Sequence, residues 1–85
     1  MIKLKSEDGL IFELDESSLT EVYRIDLYRI LKWSYHVATR TGSAKSPCVQ
    51  DVYFAVDHDY NIIVSSQNYD DAFLTIQAYR MIEIL

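Results

Sequence analysis

Three residue types that could form a cysteine-nucleophile triad occur in the chain, at His36, Cys48 and Asp51. In such a triad the histidine deprotonates the thiol, and the acid orients the histidine. No local signature joins the three residues, and any small protein offers such a trio by chance. The only glycines are Gly9 and Gly42, so no glycine-rich loop could hold a phosphate. We therefore predict that the protein is not an enzyme.

Residues 57–61 begin like a calcium-binding loop, because their sequence follows the pattern D-x-D-x-N. Position six of such a loop is here Ile62 instead of glycine, and position twelve is Asn68 instead of glutamate, so the ligand set is incomplete. Two histidines and one cysteine are also too few for the usual structural zinc site. We interpret residues 57–61 as a hairpin turn, and we predict neither a metal nor a cofactor.

The composition indicates one cytoplasmic domain. The chain has 85 residues, of which 49% are hydrophobic, and this is too apolar for a disordered segment. Its net charge of −5 counts against a generic nucleic-acid binder, which is usually basic. A single cysteine excludes an internal disulfide and fits a reducing compartment. No apolar run is long enough to cross a bilayer, so we expect no membrane contact.

Two hairpins and two helices are expected along the chain. Residues 2–5 and 10–14 alternate around an Asp-Gly turn, and residues 52–56 and 62–65 form a second hairpin. Ser18 and Glu21 fit a capping box, which predicts a first helix over residues 18–41. Asn68 fits the N-cap of a second helix that runs to residue 85.

This element order predicts an α+β fold, ββαββα, with a four-stranded antiparallel sheet and two helices on one face. The two halves, residues 1–42 and 51–85, align without a gap at an offset of 51 residues. Residues 1–85 are thus expected to form a single domain with a possible internal ββα repeat.

The first predicted helix would carry a basic face with aromatic residues beside it. At about 100° per residue, Ile25 would lie in one row with the cations. The candidate partner-binding residues of this face are Tyr28, Arg29, Lys32, Trp33, Tyr35, His36 and Arg40. Such a row could hold phosphates and stack bases, or it could bind an acidic protein surface. An ordinary solvated helix face is the alternative.

Acidic residues are concentrated around both predicted hairpin turns. The segment 51–71 contains five acids and no lysine or arginine. The candidate partner-binding acids are Glu7, Asp8, Asp57 and Asp59. One reading is an acidic patch that occupies a basic, nucleic-acid-handling groove on a partner. The other is local hydrogen bonding, since turns favour aspartate and asparagine.

The second predicted helix is apolar on two sides and would have to be buried twice. Such a surface favours association, so we expect a homodimer or a tight complex with another protein. The candidate oligomer-interface residues are Phe73, Ile76, Met81, Ile84 and Leu85.

The leading hypothesis is a small acidic protein-binding module that acts by occluding a partner's surface. Within that class we favour an inhibitor or immunity-type protein, such as an anti-defence accessory protein of a phage or mobile element, that blocks a nucleic-acid-processing enzyme. One alternative is a dimeric nucleic-acid-binding regulator that uses the basic face of the first helix. A second alternative is a structural subunit of a larger assembly.

Overall fold

The computed structural model describes residues 1–37 and 48–84. Within these ranges the chain forms six strands, a single 3-10 turn and one α-helix. In chain order they are β1 (Ile2–Lys5), β2 (Ile11–Leu14), the 3-10 turn (Glu16–Ser18), β3 (Leu19–Ile25), β4 (Tyr28–Val37), β5 (Cys48–Val56), β6 (Ile62–Ser66) and α1 (Tyr69–Ile84).

The strands form two separate antiparallel sheets. The larger sheet has the order β3-β4-β5-β6, and β1 pairs with β2 in a two-stranded ribbon. The α+β class is therefore confirmed, but the ββαββα order is wrong, because the described residues contain one helix. A four-stranded antiparallel sheet is present, but it is built from β3 to β6. The second half follows the ββα order and the first half does not, so the halves do not share the order that suggested a repeat.

The predicted first helix is replaced by a hairpin of β3 and β4. Asp26 and Leu27 form a two-residue turn between the paired residues Ile25 and Tyr28. Asp26 has φ 53°, the positive value that type II′ turns have at this position, and aspartate tolerates it better than most residues. This segment is rich in β-branched and aromatic residues, which favour strands. Ser18 does not cap a helix, since its hydroxyl donates to the Asp15 carbonyl oxygen at 2.8 Å.

The larger sheet is covered on both faces. On one face α1 packs through Ala72 and Ile76 onto Tyr28, Ile30 and Ala55. The opposite face is covered by the β1–β2 ribbon. Its buried cluster comprises Leu4, Leu31, Phe54 and Val56, with Trp33 packed against them. The protein therefore has three layers, which are ribbon, sheet and helix.

Helix α1 begins as the sequence predicts. The Asn68 side-chain oxygen accepts a hydrogen bond from the Asp70 amide at 3.0 Å, which is the N-cap arrangement. The Ser66 hydroxyl accepts from the Asn68 amide and donates to the Asp71 carboxylate. Asp70 and Asp71 lie in the first turn, where the helix dipole favours negative charge.

Candidate functional site

Three acidic turns meet at one end of the molecule. The β3–β4 turn (residues 26–27) and the β5–β6 turn (residues 57–61) share this end, because β3 and β5 run in the same direction in the antiparallel sheet and each turn follows one of these strands. The β1–β2 turn (residues 6–10) joins them, since the Lys5 amide donates to the Tyr60 carbonyl oxygen at 3.0 Å. We call these three segments the turn end.

The turn end brings together all four acids that the sequence analysis selected, Glu7, Asp8, Asp57 and Asp59. Asp26 belongs with them and was missed, because a helical reading of its segment hides a turn. No cation among the described residues forms an ion pair with Glu7 or Asp8. Gly9 allows the first turn to close, since its φ of 87° lies in the region that favours glycine.

The Asp57 carboxylate organises the β5–β6 turn. Its Oδ1 accepts hydrogen bonds from the amides of Asp59 and Asn61, both at 2.9 Å, and its Oδ2 accepts from Asn61 Nδ2 at 3.0 Å. Partial burial of the carboxyl raises its pKa. The hydrogen bonds from Asn61 and from the Asp59 amide outweigh this effect and, with the charge of His58, hold the pKa of Asp57 below its ordinary value. Asp57 is therefore a fixed, ionised group.

We expect the Asn61→Ala variant to raise the pKa of Asp57 toward its ordinary value, because one of its three donors is lost. A lowered pKa in the folded state stabilises the protein above the pKa of the unfolded state, and this contribution disappears as the pH falls through the folded pKa. Protonation of Asp57 below about pH 4 removes this contribution to the free energy of unfolding. We expect the amount removed to be smaller in the variant. A carbon-13 NMR titration of the carboxyl groups measures the shift, with Gln67→Ala as control. An unchanged pKa of Asp57 would contradict this account.

The remaining charges at this end are partly paired. The Asp26 Oδ2 lies 2.8 Å from Arg80 Nε, so an ion pair ties the β3–β4 turn to α1. The Asp59 Oδ2 lies 3.3 Å from His58 Nε2. The positions of Asp26 and Arg80 are thus fixed, while Glu7 and Asp8 project from the first turn as exposed charges.

An open cleft with apolar walls lies among these acids. It has a volume of about 280 Å³ and is lined by Leu27, Tyr28, Asp57, His58, Ile63 and Tyr79. Leu27 is 61% exposed at the tip of its turn, and Tyr79 is also exposed. The Tyr79 ring is held in place by an edge-on contact with Tyr28 at 6.4 Å between centroids. The sequence analysis did not select Leu27 and Tyr79, because they line a cleft only together with residues of other strands and turns.

Within residues 28–35, the predicted basic and aromatic row does not form, because β4 is a strand. Tyr28 is buried on the face that α1 covers, and Lys32 lies on that same face by strand alternation. Arg29 lies on the opposite face, where its Nη1 donates to the Tyr60 hydroxyl at 2.8 Å.

Trp33 and Tyr35 share the face of Arg29, and their rings are stacked at 4.7 Å between centroids. The Tyr35 hydroxyl donates to the Gln50 side-chain oxygen at 3.0 Å. The His36 side chain and Arg40 lie outside the described residues. Strand alternation thus separates Lys32 from the two rings that a helix would have placed beside it.

The predicted oligomer-interface residues divide into two groups. Ile76 is completely buried within the protomer, and Phe73 is packed against the same cluster. Met81 is exposed, as are Leu74 and Ile82 on the outer side of α1. The Ile84 side chain and Leu85 lie outside the description. The homodimer stays a prediction, and Met81 is the predicted residue that the described surface leaves exposed.

Of the three residues considered for a cysteine-nucleophile triad, only Asp51 has a described side chain. Asp51 accepts a hydrogen bond from the Ser34 hydroxyl at 2.6 Å, and the side chains of His36 and Cys48 are outside the description. Across residues 1–37 and 48–84, no three histidine, cysteine, aspartate or glutamate residues are grouped so that they could hold a metal ion. The same ranges contain no helix that combines the length and the hydropathy needed to cross a membrane.

Comparison of the chain with protein-family models, with curated proteins and with solved structures gave no match.

Proposed function

We propose that the protein is a small acidic protein-binding module that covers a basic surface of its partner with the turn end. The observation that carries this proposal is the meeting of three acidic turns around the exposed Leu27 and Tyr79. An apolar centre with a charged rim is the usual anatomy of a protein interface. Energetically important contacts are concentrated at such centres, while rim charges set the rate and specificity of association.

The negative charge of the protein and of its turn end favours a partner with a basic surface. The chain carries a net charge of −5, and the turn end contains Glu7, Asp8, Asp26, Asp57 and Asp59. A rim of carboxylates matches surfaces that bind phosphates, since these surfaces are rich in lysine and arginine. Within this class we propose a cytoplasmic inhibitor or immunity-type protein, such as a phage or mobile-element accessory protein, that occludes a nucleic-acid-processing enzyme. The lack of a sequence signature for catalysis supports action by contact.

The alternative function, a nucleic-acid-binding regulator, depends on arginines that could contact phosphates. Each arginine that the structure describes lies within 4 Å of a carboxylate oxygen, in pairs with Glu21 or Asp26. These pairs reduce the positive charge available to phosphates. The nucleic-acid-binding regulator therefore stays a prediction. The basic helix face on which it was based is replaced by strand β4. A structural subunit also stays a prediction, with the exposed outer side of α1 as its docking element.

The proposal is tested by reversing charges at the turn end. In the variant Glu7→Lys/Asp8→Lys/Asp59→Lys, three reversals of two charges each change the net charge from −5 to +1. Asp57 is kept, because it organises its turn. We expect affinity capture of the partner from native lysate to weaken by at least about tenfold, since like charges would then face each other. The amount captured at increasing salt concentration, followed by mass spectrometry, provides the measurement.

The matched control reverses three acids away from the turn end. Asp15, Glu16 and Asp70 are exposed and follow the opposite ends of β2 and β6. Their change to lysine alters the net charge by the same amount. Equal capture by both triple variants and by the original chain would refute the proposal. Release of the captured protein by added duplex DNA would support a nucleic-acid-binding groove as the covered surface, whereas retention would argue against that narrower assignment.

A further inference from the structure

The cleft at the turn end combines apolar walls with one fixed carboxylate. Leu27, Ile63 and the ring of Tyr79 supply the walls, and Asp57 supplies the charge. Its volume of about 280 Å³ lies just below the range of about 300–1,000 Å³ for drug-sized ligands. The cleft is therefore of a size for one side chain of a partner protein.

The Asp57 carboxylate retains the capacity to accept another hydrogen bond. Oδ1 already accepts two, whereas Oδ2 accepts one, from Asn61 Nδ2. Each carboxylate oxygen has two lone pairs, so Oδ2 can accept a second donor. The existing bonds hold the group in place, which reduces the ordering that a ligand must impose.

Among the described residues, the ion pairs formed by the cations near the cleft are made with other carboxylates. His58 lines the cleft and pairs with Asp59, and Arg80 pairs with Asp26. A ligand for the cleft must then offer an aliphatic stem for the walls and a cationic donor for Oδ2. Arginine fits better than lysine, since its guanidinium is planar, weakly hydrated and able to stack on an aromatic ring. The protein contains such a pair already, with the Arg29 guanidinium 5.1 Å from the centre of the Tyr60 ring.

We propose that the cleft formed by Leu27, Ile63, Tyr79 and Asp57 receives a single arginine side chain of the partner protein. This inference rests on the proposed function and specifies the contact at the centre of its interface. The stem lies against Leu27 and Ile63, the guanidinium donates to Asp57 Oδ2, and the Tyr79 ring covers one side.

The test uses the full chain labelled with nitrogen-15 and two small probes. N-acetyl-arginine amide carries the guanidinium, and N-acetyl-citrulline amide has the same shape without the charge. We expect the arginine probe to produce saturable amide shifts around Leu27, His58 and Ile63, with a dissociation constant on the order of 1 mM. The citrulline probe should bind at least about tenfold more weakly, because a neutral donor replaces a charge-assisted one. Equal binding of both probes, or no saturable shift, would overturn the assignment.

Two leucine variants complete the test. Leu27→Lys places a like charge at the cleft, and Leu74→Lys makes the same change at a residue of matching exposure, 61% against 63%. Both sites are on the surface, so both variants should fold. We expect Leu27→Lys to abolish the shifts and Leu74→Lys to leave them unchanged. Persistence of the shifts in Leu27→Lys also overturns the assignment.

The experiments distinguish a wrong assignment of the cleft from a wrong proposed function. Partner capture that depends on Glu7, Asp8 and Asp59, without arginine-probe binding, overturns the cleft assignment alone. Probe binding together with capture that ignores the charge reversal overturns the proposed function, and with it the role of the partner's arginine.

Discussion

Replacing Ile76 with alanine is expected to lower the free energy of unfolding by about 2–5 kcal/mol. Ile76 has no exposed surface, and it lies at the centre of the contact between α1 and the sheet. The substitution removes buried methyl and methylene groups and leaves a cavity against Ile30 and Ala55, which a well-packed core fills only in part. Small domains have a total stability of about 5–15 kcal/mol, so this loss would be a large fraction.

Urea unfolding followed by far-ultraviolet circular dichroism measures this effect, with Leu74→Ala as the matched control on the same helix. Leu74 is 63% exposed, so its loss should cost less than about 0.5 kcal/mol. The loss in Ile76→Ala should not depend on protein concentration, because Ile76 is buried within one protomer. A concentration-dependent loss would instead place Ile76 in an interface between chains, as the sequence analysis predicted. A loss below about 1 kcal/mol would contradict the packing described here.

Replacing Leu4 with alanine is expected to release the β1–β2 ribbon from the sheet at a lower denaturant concentration than the rest of the fold. Leu4 is completely buried between the ribbon and the cluster that contains Leu31 and Phe54. The cavity would cost about 2–5 kcal/mol. In the described part of the chain, this ribbon meets the larger sheet through a single parallel bridge between Lys5 and Asn61, which includes the hydrogen bond from the Lys5 amide to the Tyr60 carbonyl oxygen at 3.0 Å. Side-chain packing therefore provides much of the attachment.

Trp33 is the sole tryptophan and packs against the same cluster as Leu4. Its fluorescence therefore reports release of the ribbon, while circular dichroism reports α1. In Leu4→Ala we expect the fluorescence transition to precede the loss of helical signal, as in local unfolding. In the control Leu10→Ala, whose side chain is exposed, the two transitions should coincide. Coincident transitions in Leu4→Ala would show that the ribbon and the sheet unfold as one unit.

Local sequence patterns predicted those strands and helices that are stabilised by contacts between residues close together in the sequence. The β1–β2 ribbon and the β5–β6 hairpin were predicted to within a few residues, because alternation and turn residues encode them locally. Helix α1 was predicted with its Asn68 cap, since a cap depends on the next two residues. The acids of two turns were selected for the same reason.

The segment 18–37 was misassigned as a helix because β4 is buried on both faces. Ile30 packs under α1, and the adjacent Leu31 packs under the ribbon. Two-sided burial replaces strict alternation with an apolar run, and such a run also fits one side of a helix. The abundance of β-branched and aromatic residues, and Asp26 in the middle of the segment, were the signals for a hairpin.

The sequence alone determined two of the acidic turns, at residues 6–10 and 57–61, together with the hairpins that carry them and the C-terminal helix. Only the tertiary structure decided that the three turns meet, and that Leu27 and Tyr79 lie between them. The reason is physical: turn chemistry acts over a few residues, whereas the site depends on the pairing of β4 with β5 and on a helix packed across the sheet. Those contacts join residues that are far apart in the chain, and no local pattern encodes them.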